Sequence, residues 1–97
     1  MNINEFIQST KEEQPPNGLN IFLLSLWYDA KGDWEKSHDL ISDIETKEAA
    51  WIHAYLHRKE GDHWNADYWY RRAGEKRPEI SLQDEWNLLI EWILKKV

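Results

Sequence analysis

One phrase occurs twice in this chain, 29 residues apart, and it restricts the possible folds more than any other feature. The first copy runs from Leu24 through Ser25, Leu26, Trp27 and Tyr28 to Gly32-Asp33-Trp34, with Ser37, Ile41 and Ile44 following. The second runs from His53 through Ala54, Tyr55, Leu56 and His57 to Gly61-Asp62-His63, with Ala66, Tyr70 and Ala73 following. In each copy an apolar stretch at helical spacing runs into Gly-Asp, and a second such stretch begins. Glycine tolerates the left-handed backbone that ends one helix, and aspartate accepts hydrogen bonds from the free N–H groups that start the next. Two such units in tandem predict stacked helical hairpins and an all-α fold.

The hairpins are expected over residues 19–45 and 47–74, within one helical-repeat domain covering residues 1–97. A chain of this length buries one core and does not divide. Ahead of the hairpins, a short helix is predicted from Ile3 to Glu13, anchored by Phe6 and Ile7 and ended at Gln14-Pro15-Pro16-Asn17-Gly18. The hairpin helices are predicted over Leu19–Lys31, Asp33–Glu45, Lys47–Glu60 and Asp62–Ala73, before a break at Gly74 and Pro78. A capping helix follows over residues 81–97, with Ser81 and Asp84 as its N-terminal pair. Leu82, Trp86, Leu89, Ile90, Ile93, Leu94 and Val97 make one apolar face on it. That face needs cover, and the second hairpin is the expected partner.

Gly61-Asp62, Ala66, Tyr70, Ala73 and Pro78 together resemble a tetratricopeptide repeat, with Ala54 at the small position of the preceding helix. Leu24, Ser25, Tyr28, Gly32, Asp33 and Ser37 carry the same resemblance in the first unit, so it covers residues 19–78. The chain departs from that family in its 29-residue offset, shorter than the usual ~34. His53 and His57 also stand where the family has large apolar or Tyr side chains. The run from Trp51 to Arg58 and from Tyr68 to Gly74 looks like a small group of tetratricopeptide-like proteins of no assigned activity.

Composition removes several function classes. The net charge is −6, all of it from the acidic first half, and basic residues form nothing larger than adjacent pairs such as Arg71-Arg72 and Lys95-Lys96. Nucleic acid and anionic membrane surfaces require more clustered positive charge than that. There is no Cys, which excludes disulfides and thiolate metal sites. The start lacks the regions of a secretory signal, and the greasiest stretch, Leu19 to Tyr28, is too short to span a bilayer. A cytoplasmic protein is the expectation.

Three constellations are candidates for function. In the tetratricopeptide family the first helix of each repeat lines a concave, peptide-gripping surface. By that resemblance Trp51, Tyr55, Arg58 and Lys59 face a groove with Phe22, Leu26 and Asp29, unless the last helix fills it and makes Trp51 and Tyr55 core. His53 and His57, four residues apart, can share a metal ion, with Glu60 or His63 completing the set. The alternative is that each imidazole is a hydrogen-bonded core group. Trp64, Tyr68, Arg71 and Arg72 form an aromatic and cationic patch on the second hairpin. No phosphate loop or nucleophile elbow is present, so no catalytic residue is assigned. The leading expectation is a small protein- or peptide-interaction module without cofactor or metal, self-associating through its aromatic surface. The second expectation is a metal-binding protein or hydrolase built on His53, His57 and Glu60.

Overall fold

Every helix start in the computed structural model, which describes residues 1–96, is capped by its own side chain. The elements are α1 (Ile3–Ser9), α2 (Ile21–Ala30), α3 (Trp34–Ile41), α4 (Lys47–Lys59), α5 (His63–Arg72) and α6 (Leu82–Leu94), and no strand occurs among the described residues. Asn2, Asn20, Asp33, Thr46, Asp62 and Ser81 each accept a bond from the backbone N–H three residues on. Such caps are worth about 1 kcal/mol each. At Asn2 the bond is reciprocal, because Glu5 reaches back to the Asn2 N–H at 3.0 Å. Val97, counted above on the apolar face, lies outside the described residues.

The two Gly-Asp junctions are built alike. Gly32 and Gly61 have φ of +84° and +89°. Asp33 N–H donates to the Tyr28 carbonyl and Asp62 N–H to the His57 carbonyl, both at 2.9 Å. This closure satisfies carbonyls that a helix end leaves free, and it requires the left-handed conformation that glycine takes without strain. Each hairpin therefore reverses within three residues.

Two helices end four residues earlier than expected, and α2 starts at Ile21 rather than Leu19 because Asn20 is its cap. At the end of α1 the Ser9 and Thr10 hydroxyls turn back onto the Phe6 and Ile7 carbonyls, both at 2.6 Å, and the helix ends well before Glu13. α3 ends at Ile41 rather than at Glu45, because Thr46 adopts an extended backbone to cap α4. The connection takes five residues, Ser42 to Thr46, and the helix yields four of them.

Helix α2 packs on α3 and α4 on α5, while α4 also meets α2, α3 and α6. Small residues sit where the paired helices touch. Ser25 Oγ bonds to the Ser37 carbonyl at 2.8 Å in the first hairpin. Ala54, Ala66 and Tyr70 make the contact in the second. The main core gathers Phe6, Leu26, Trp27, Ile41, Ile52, Leu56, Leu89, Ile90 and Ile93. Helix α6 closes over α1, α2 and α4, so it bridges both hairpins instead of covering the second alone.

Tryptophan ties these layers together. Trp27 Nε1 donates to the Ser9 carbonyl at 3.2 Å, Trp34 Nε1 to Leu56 at 2.8 Å, and Trp86 Nε1 to Leu26 at 3.2 Å. Each indole buries a large apolar body and places its polar N–H on another element. No helix among the described residues is long and apolar enough to cross a membrane.

Candidate functional site

Of the side chains expected along a concave groove, Trp51 and Arg58 meet α6, while Tyr55 and Lys59 meet Asp29 of α2. Tyr55 and Asp29 are buried, with the Tyr55 hydroxyl donating to Asp29 Oδ2 at 2.7 Å. Lys59 Nζ pairs with Asp29 Oδ1 at 2.8 Å. Glu85 of α6 is fully buried and accepts from three groups. Trp51 Nε1 reaches it at 3.0 Å, Tyr70 OH at 2.6 Å and Arg58 Nη1 at 2.7 Å. Arg58 also donates to the Ile80 carbonyl. Phe22 packs, half-buried, against the main core, and Trp51 stacks at a tilt on Trp92 of α6. Burial, then the partner carboxylates Asp29 and Glu85, push the Tyr55 and Tyr70 phenols well above their ordinary range. Both phenols are donors at any ordinary pH, Tyr70 holding α6 through Glu85 and Tyr55 holding α2 through Asp29.

The histidines converge elsewhere, where α3 and α5 pack on α4. His53 and His57 lie on one face of α4, a turn apart, with ring centroids 4.9 Å from each other. They are buried, at 6% and 8% exposure. His38 of α3 joins them, its Nε2 2.9 Å from His53 Nε2. One ligand nitrogen from each of His38, His53 and His57 lies within 4.8 Å of the other two. A zinc–nitrogen distance of about 2.0–2.1 Å places two tetrahedral ligands about 3.4 Å apart. The observed spacing is within a small ring movement of that arrangement, and His38, with 24% of its side chain exposed, has room to make it.

Aromatic side chains hold the imidazoles in place. Trp69 of α5 stacks on His53, with ring centroids 3.9 Å apart and planes within 13°. Trp34 stacks on His38 at 4.9 Å and meets His57 edge-on at 5.9 Å. Behind His57, Glu60 Oε2 accepts from Nδ1 at 2.6 Å. A carboxylate there fixes the tautomer that leaves Nε2 as a lone-pair donor, the arrangement found behind metal-binding histidines. Burial pushes His53 down to about 3, helped by the charges of His38, His57 and Arg72, so its ring is neutral at neutral pH.

Of the set expected from the sequence, His53 and His57 come together, while Glu60 stands behind His57 and not beside His53. Glu60 does group with His57 and Asp62, but both of those acids are exposed. His63 is also exposed, pairs with Arg77, and takes no part in the cluster. His38 is the member that sequence reasoning missed. Its signal was its place four residues after Trp34, on the helix that leads directly into α4.

The chain is thus an all-helical protein whose two hairpins are closed by α6 and whose helices α3 and α4 bring three imidazoles together. No protein-family model, curated protein or solved structure matches it.

Proposed function

We propose that this protein binds a divalent transition-metal ion, zinc being the reference case, through His38, His53 and His57. The observation that carries this reading is the convergence of three imidazole nitrogens from two helices within 4.8 Å. Imidazole donors suit zinc, copper and nickel, and a neutral ring is the form that ligates. The carboxylate behind His57 and the depressed basicity of His53 support the same reading. On this reading the two hairpins are a tetratricopeptide-like frame for a metal site.

Zinc should raise the melting temperature, since a ligand bound only by the folded state stabilises it by about 2.7 kcal/mol at a hundredfold excess over Kd. His38→Ala and His57→Ala should each abolish the rise, and His63→Ala should leave it intact. Thermal denaturation of these four proteins with and without zinc is the test. An unchanged melting temperature in the parent protein, or a rise that survives His38→Ala, contradicts the site.

A second reading is a protein-interaction module. Trp64 favours it, being 81% exposed on the α5 surface that also carries Tyr68 and Arg72. The zinc experiment separates the two readings, because an interaction module gains no stability from metal.

A further inference from the structure

We propose that this chain pairs with a second copy of itself, the aromatic and cationic face of α5 in each copy lying on the acidic face of α3 in the other. This goes beyond the metal reading and does not depend on it. It names what covers the α5 surface.

Helix α5 leaves a stripe without cover. Trp64, Tyr68 and Arg72 recur every four residues and are exposed, Trp64 at 81%, with Arg71 exposed beside them. Side chains at that spacing share one helix face. Arg72 is held in place there, its guanidinium 5.8 Å from the Tyr68 ring centre and 5.0 Å from that of Trp69, with a bond to the Tyr68 hydroxyl at 3.2 Å. Trp, Tyr and Arg are the side chains that most often anchor interfaces, and one already held loses little freedom on docking.

The complement lies in the same chain. Glu35 and Asp39 are exposed on one face of α3, and Asp43 and Glu45 follow on the turn after it. Among the described residues none of these four acids pairs with a lysine or arginine, and neither Arg71 nor Arg72 pairs with a carboxylate. An open hollow of about 440 Å³ on α3 is lined by Asp33, Glu35, Lys36, Asp39 and Leu40. Lys36 turns its ammonium over the Tyr28 ring at 4.7 Å, which leaves the acids to set the charge of the hollow. The Trp64 indole suits this place, since Leu40 receives its apolar body and a carboxylate accepts its N–H. Arg72 stands eight residues beyond Trp64, about 12 Å along a helix, and Asp43 stands the same eight residues beyond Glu35.

The arrangement of the two helices favours a copy over an unrelated acidic protein. Both pack on α4, and both reach its His53 ring, His38 of α3 at 4.6 Å and Trp69 of α5 at 3.9 Å. They lie side by side, so one two-fold axis makes both α5-on-α3 contacts at once. Such an interface is closed, and every favourable pair in it occurs twice.

Sedimentation equilibrium from low micromolar to near-millimolar protein, without added metal, is the test. The parent should pass reversibly from monomer to dimer, with the dimer weakened by salt. Trp64→Ala should raise the dissociation constant at least about thirtyfold, the loss expected of one interface anchor. The double variants Arg71→Glu with Arg72→Glu, and Glu35→Arg with Asp39→Arg, should each be monomeric with melting temperatures near the parent's. Mixed in equal amounts they should form a dimer, because reversed charges then face each other at both contacts. A parent that stays monomeric, or one that grows past the dimer, overturns the two-fold pairing. So does a dimer indifferent to Trp64→Ala, or a pair of reversed variants that fails to recombine. Each of these results leaves the metal site standing.

Discussion

Glu85→Ala should destabilise the protein by about 3–5 kcal/mol, the range expected when one partner of a buried ion pair is removed. Glu85 is fully buried and accepts from Arg58, Tyr70 and Trp51. Truncation leaves a guanidinium, a phenol and an indole N–H without their acceptor in the interior. Both Tyr70 and Arg58 belong to the second hairpin, so this one side chain fastens α6 to it. The apolar face of α6 then seals α2 and α4 through Leu89, Ile90 and Ile93. Glu85→Gln keeps two of the acceptor contacts through its carbonyl oxygen and should lose less. Urea denaturation of the three proteins measures this. A midpoint for Glu85→Ala within error of the parent would mean that α6 is held by apolar contact alone.

Acidification should weaken the metal-free protein well before its carboxylates titrate. His53 is depressed from 6.5 to about 3 in the folded state. Between those values the unfolded chain binds a proton that the folded chain refuses, so stability rises with pH there. The contribution is fully present above the unfolded pKa and declines as pH falls below it toward the folded value. For one proton the slope reaches about 1.4 kcal/mol per pH unit. His53→Gln removes the titrating ring, and its stability should fall less than the parent's between roughly pH 7 and pH 5. Denaturant midpoints across that interval decide it. Parallel declines in the two proteins would show that His53 takes up its proton as readily folded as unfolded.

The helical plan could be read from local chemistry because local chemistry fixes it. Gly32-Asp33 and Gly61-Asp62 set the turns, and Ser81 and the apolar spacing from Leu82 to Leu94 set α6. Helix ends were less legible. The extended Thr46 that shortens α3 depends on what the next element needs.

The site was half legible for a related reason. His53 and His57 share a helix face by spacing alone, but His38 meets them only through the packing of α3 on α4. Glu60 has the spacing of a third ligand, and only the geometry gives it the place behind His57. The groove expected from the sequence is crossed by hydrogen bonds from Trp51, Tyr55, Arg58 and Lys59. Its occupant depended on Glu85, an acid on the N-terminal turn of a helix, where sequence offers solvent as the natural destination. Burial came from three donors on α4 and α5 that converge only in the fold.

The most direct measurement is zinc K-edge X-ray absorption on the protein loaded with one equivalent of zinc. Three imidazole nitrogens at about 2.0–2.1 Å, with one further light atom, are expected in the parent protein, and fewer imidazoles in His38→Ala. A shell of oxygen atoms alone, or an imidazole count that His38→Ala leaves unchanged, would contradict the three-histidine site.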